Sequence, residues 1–74
     1  MDINEEINFI LTRRKISKTE LAKKMQERTG KKYYQSLLSH KINDGSIKYS
    51  EMKLICDILD FKIQIFDNKA NNYL

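Results

Sequence analysis

Proline is absent from this chain, glycine occurs only twice, and cysteine and histidine once each. Without proline no helix is broken by a missing N–H, so helices are permitted almost throughout and only Gly30 and Gly45 offer easy stops. A single Cys cannot close an internal disulfide, and a lone His without a Cys pair speaks against a zinc site. No apolar run approaches the roughly 20 residues needed to cross a bilayer. The opening Met1-Asp2-Ile3-Asn4-Glu5-Glu6 is acidic where a secretory leader is basic and then apolar, so no membrane partner and a cytoplasmic location are expected.

What is present fits one domain. The 74 residues suffice for one modest core, and a hydrophobic share of 41% with three Phe and four Tyr argues against a disordered tail. Charge is unevenly placed. Residues 1–12 hold three acids and no base, whereas residues 13–53 hold twelve Lys or Arg against Glu20, Glu27, Asp44 and Glu51. Lysine richness also serves plain solubility, but such clustering is what a surface facing a polyanion requires.

Apolar spacing divides the chain into helices. Asp2 can cap a first helix, with Glu5 returning the bond, and Ile3, Ile7, Ile10 and Leu11 form its stripe to about Arg14. Ser17 and Glu20 make a second capping box, opening a helix with Leu21, Ala22 and Met25 on one side and Gly30 as its stop. In the segment 33–42, Tyr34, Leu38 and Ile42 recur at spacing four with Leu37 beside them, and the turn Asn43-Asp44-Gly45 closes this third helix. Ser50 can cap a fourth, from Glu51 to about Asp60, that buries Met52, Ile55, Cys56 and Leu59. Phe61, Ile63 and Ile65 then alternate with polar residues, which reads as a short strand or extended tail, and 67–74 shows no period and reads as a loose end. The expected domain is therefore 1–66.

Gln35, Ser36, Ser39 and His40 fall away from the third helix's apolar stripe. A Gln amide can pair with adenine through N7 and the N6 amino group at once, and a Gln in the first turn of a scaffolded helix has the position as well as the chemistry. His40 and Ser39 lie one turn later, close to a base edge or a phosphate. Cys56 sits in an apolar stripe and reads as core. No catalytic triad, metal cluster or phosphate-cradling glycine loop occurs, so neither enzyme activity nor a cofactor is expected.

The run Ser17-Lys18-Thr19-Glu20-Leu21-Ala22-Lys23-Lys24-Met25, followed by Gln35-Ser36-Leu37-Leu38-Ser39-His40-Lys41-Ile42-Asn43-Asp44-Gly45, resembles the helix-turn-helix of the phage repressor and Cro family. Its short phage-associated members are similar also in the stretch Ser46-Ile47-Lys48-Tyr49-Ser50-Glu51 that follows. The resemblance implies an all-α, lambda-repressor-like helix-turn-helix domain of about four helices with a short C-terminal strand or extended tail. It further implies a bacterial or phage-encoded protein of the nucleoid that binds double-stranded DNA and regulates transcription, most often as a repressor.

Carried over by position, Gln35, Ser36 and Leu37 fall on base-reading sites, Leu37 offering methyl groups to a thymine methyl. Lys18 and Thr19 fall near phosphate at the start of helix two, and Lys41 and Lys48 at the end of helix three and in the loop beyond. One departure stands out: where the family has a turn of about three residues, this chain inserts Gln26 to Tyr34. Arg28, Lys31, Lys32 and Tyr33 of that insertion become further phosphate-contact candidates.

Two related copies would read half-sites about 34–36 Å apart. Phe61, Ile63, Ile65 and Phe66 are the candidate element, either pairing between copies as a homodimer or packing on their own helices. A second function stays open on the same scaffold: a protein-interaction module, inhibitor or antitoxin-like, using Tyr33, Tyr34 and the apolar tail.

Overall fold

Local chemistry sets the ends of each helix. In the computed structural model, which describes residues 3–64 and the backbone of 66–67 and 72–73, α1 spans Ile3–Arg14. Asp2, its expected cap, lies outside the described residues. Glu5 and Glu6 occupy its first turn and Arg13 and Arg14 its last, the arrangement the helix dipole favours. The helix stops at Lys15, which adopts a left-handed φ of 55° so that the Ile16 N–H reaches back to the Leu11 carbonyl at 3.1 Å.

Helix α2 spans Lys18–Thr29. Ser17 caps it as expected: its hydroxyl accepts the Glu20 N–H at 3.1 Å, and the Glu20 carboxylate accepts the Ser17 N–H at 3.4 Å. Gly30 ends it at φ 71°, donating to the Gln26 carbonyl at 2.9 Å.

Helix α3 spans Gln35–Asp44 and ends at Gly45, φ 75°. Tyr34 departs from the expected stripe. It is the N-cap, with extended φ of −146°, so its side chain leaves the helical register and stays 53% exposed; Leu38 and Ile42 alone anchor the helix.

Helix α4 spans Tyr49–Leu59, two residues ahead of the expected start, with Lys48 rather than Ser50 as N-cap. The reason is Glu51, whose carboxylate turns back to accept the Lys48 N–H at 2.9 Å.

Among the described residues the result is a domain of four helices, in which α2 packs on α3 and α4, and α1 packs on the same two helices. Ile7, Leu21, Met25, Leu38, Ile42, Ile55 and Leu59 form the fully buried centre. Cys56 lies buried in the same core, where loss of solvation and then the neighbouring Asp57 charge push its thiol pKa up. It is a packed apolar group, as its stripe implies.

Arg14 closes the domain. Its Nε donates to the Leu59 carbonyl at 2.6 Å and its Nη2 to the Asp60 carbonyl at 3.0 Å, while the guanidinium lies 4.3 Å from the centre of the Phe61 ring. The open carbonyls at the end of α4 are thus satisfied from α1. With Phe61 drawn onto the core, residues 61–64 do not form the expected strand. Pairing occurs further on, as a two-residue antiparallel ladder of Phe66 with Tyr73 and Asp67 with Asn72, which joins the end of the expected strand to the stretch expected to be loose. Ile65 lies outside the described residues.

Candidate nucleic-acid interface

The outer side of α3 carries small and amide-bearing groups because its inner side is consumed by Leu38 and Ile42. Gln35, Ser36 and His40 are exposed, and Leu37 and Ser39 half-buried. Gln35 Nε2 donates to Ser39 Oγ at 3.1 Å, one turn along, so the amide is pre-oriented along the helix and must exchange this weak exposed bond to pair with a base. His40 Nε2 lies 3.1 Å from Asp44 Oδ2. Hydrogen bonds from Ser46, aided by the His40 and Lys41 charges, hold the Asp44 carboxyl below its ordinary pKa range. An anion therefore stands beside His40 at the end of the helix.

Among the expected phosphate contacts, Thr19, Arg28, Lys31, Lys32 and Lys48 are exposed, with Lys18 half-buried. Lys31 and Lys48 line one open depression of about 240 Å³ together with Thr29, Tyr33, Ser50, Glu51 and Leu54. Arg28 instead lines a depression with Lys24, Glu27 and Ile58, between α2 and α4.

Two candidates have a different fate from the one expected. Tyr33 is half-buried, and its hydroxyl donates to Glu51 Oε2 at 2.6 Å. Burial, then that hydrogen bond and the Glu51 charge, push the phenol pKa up to about 12. Lys41 is the second: its Nζ lies 3.3 Å from Glu51 Oε2, with its side chain only 24% exposed. Neither group is free to meet a phosphate while Glu51 holds it.

Glu51, in the first turn of α4, is 7% exposed and is the only buried charged residue among those described. Burial alone would raise its pKa. Hydrogen bonds from Tyr33, the Lys48 N–H and Lys41, with the Lys41 charge, outweigh that and hold the carboxyl below its ordinary range. Through it the inserted loop, the last turn of α3 and the first turn of α4 meet at one carboxylate. Its position three residues after the α4 cap was the available signal; nothing in linear spacing joins 33 to 51.

Between α1 and α4, Phe61 and Ile63 border a groove of about 570 Å³ with Phe9, Ile10 and Met52, edged by Glu6 and Lys62. Phe9 is 54% and Ile63 41% exposed. The described backbone of Phe66 belongs to the short ladder instead. No described helix is long and apolar enough to cross a membrane, and no group of three or more His, Cys, Asp or Glu among the described residues is placed to hold a metal ion. No family model matches the chain, and neither a curated protein nor a solved structure matches it.

Proposed function

We propose that this chain is a sequence-specific double-stranded DNA-binding protein of helix-turn-helix type that lays α3 in the major groove and represses transcription by occupying a promoter. The observation that carries the proposal is the two-sidedness of α3. Leu38 and Ile42 fix it to the core while Gln35, Ser36 and His40 are exposed, and Lys31 and Lys48 share one depression whose lining also includes Glu51. Exposed cations supply affinity through counterion release, independent of sequence, and the α3 amide and hydroxyls supply selection. A bidentate base contact discriminates by roughly 1–3 kcal/mol, so one helix selects weakly.

Two copies would remedy that. The dimer surface we propose is the groove between α1 and α4, not an exchanged strand, since Phe61 is already packed on the core. Glu6 and Lys62 both edge this groove, and we propose that they pair between copies. Such a regulator works in the cytoplasm on nucleoid DNA.

The exposed aromatics Phe9, Tyr34 and Tyr49 favour a second reading, a protein-interaction module. Titration of a fluorescent duplex pool at several salt concentrations separates the two. The DNA-binding proposal expects log affinity to fall linearly with log salt, and a chain whose weak binding ignores salt belongs to the second class.

A further inference from the structure

Lys41 and His40 are neighbours at the end of α3, but they are treated differently. The His40 side chain is 74% exposed, whereas Lys41 turns onto a carboxylate supplied by α4. Every oxygen of that carboxylate is used. Glu51 Oε1 accepts from the Lys48 N–H at 2.9 Å and from Lys41 Nζ at 3.5 Å, and Oε2 accepts from the Tyr33 hydroxyl and pairs with Lys41 at 3.3 Å. Glu51 is buried, so the pair is shielded from the salt screening that weakens exposed ion pairs. The cation on the proposed reading helix is thereby neutralised inside the protein.

We infer that Glu51 is a specificity-determining positioning residue: it withholds Lys41 from the DNA backbone and locks the last turn of α3 in the register from which Gln35 and Ser36 read. The inference rests on the duplex-binding reading above. A cation released from Glu51 would reach for phosphate and add affinity on any sequence. Phosphate contacts tolerate a loosened helix and base contacts do not, so the gain falls on non-cognate duplexes and the loss on the cognate one. Glu51 sacrifices raw affinity for discrimination.

The test is a cycle of Glu51→Gln and Lys41→Gln in the full chain, measured against a duplex selected from a random pool and a scrambled duplex across a salt series. Gln at 51 can still accept the Lys48 N–H through its amide oxygen while its amide nitrogen donates to the Tyr33 oxygen, so the cap survives while the charge is removed. Glu51→Gln is expected to steepen the salt slope by about one released counterion on both duplexes. It should also tighten the scrambled duplex and lower the cognate-to-scrambled ratio several-fold.

Lys41→Gln alone is expected to leave the slope unchanged, and combined with Glu51→Gln to abolish the added slope. A residue that merely supported the fold would weaken both duplexes together. Unchanged slope and ratio in Glu51→Gln overturn the inference, as does a flatter slope in Lys41→Gln, which would mean that Lys41 already meets phosphate. If Glu51→Gln does not fold, Lys41→Gln decides alone. Wild-type chain without salt-dependent duplex binding overturns the underlying reading as well, an outcome distinct from the other two.

Discussion

The Tyr33 hydroxyl donates to Glu51 Oε2 at 2.6 Å across eighteen positions of sequence, fastening the inserted loop to the start of α4. A hydrogen bond to a charged acceptor contributes about 1.5–3 kcal/mol, but Glu51 keeps its other donors when this one is lost. Tyr33→Phe is therefore expected to lower stability by about 1–2 kcal/mol in urea unfolding, with the helical circular dichroism intact. A variant as stable as wild type would show that the loop is held by other means.

The same pair makes stability fall at both ends of the pH scale. The Glu51 carboxyl is held below its ordinary 4.5, so its contribution is present above that value and is lost as pH falls through the lower folded-state pKa. The Tyr33 phenol is raised from 10.0 to about 12, so its contribution is complete below pH 10 and is lost as pH rises toward the folded value. Thermal melts across pH should show Glu51→Gln flattening the acid limb and Tyr33→Phe the alkaline limb between those two values. Parallel limbs in wild type and variants would contradict the assignment.

Lys15 sits at φ 55° and Asp60 at φ 61°, each ending a helix where glycine is the usual occupant. The left-handed conformation costs an ordinary side chain about 1–2 kcal/mol, partly offset by the greater unfolded-state freedom of glycine. Lys15→Gly should raise stability by about 0.5–1 kcal/mol. Asp60→Gly should gain less, since Asp tolerates this region. A loss of stability in Lys15→Gly would mean that its side chain has a favourable contact that outweighs the strain.

The groove lined by Phe9 and Ile63 predicts self-association. Sedimentation of wild type over a concentration series should show a monomer–dimer equilibrium that Phe9→Lys abolishes, with the melting curve unchanged at concentrations where both are monomeric. Glu6→Lys should weaken the dimer, and adding Lys62→Glu should restore it. A wild type that stays monomeric at every concentration removes the dimer from the mechanism.

The parts of this fold that are legible in the sequence are those fixed by neighbours along the chain. Ser17 with Glu20, Gly30 and Gly45 declare their helix ends because a cap involves residues three or four apart. Leu38 and Ile42 declare the buried side of α3 by period alone. Tyr34 shares that period yet stands at the cap, where backbone extension breaks it. Phe61 and Ile63 alternate like a strand, but the core and the Arg14 guanidinium claim Phe61 first. The burial of Glu51, and with it the removal of Tyr33 and Lys41 from the exposed cationic surface, depends on three segments meeting in space, which no linear pattern records.

Gln35 is proposed to read a base from the major groove, and adenine N7 is the atom that tests it. Duplexes of the selected site with single adenines replaced by 7-deazaadenine should bind wild type as the parent does except at one position in each half-site, where about 1–3 kcal/mol is lost. Gln35→Ala should bind the parent more weakly and lose nothing further at those positions. Wild type indifferent to every replacement, or an equal loss in wild type and Gln35→Ala, would contradict the account.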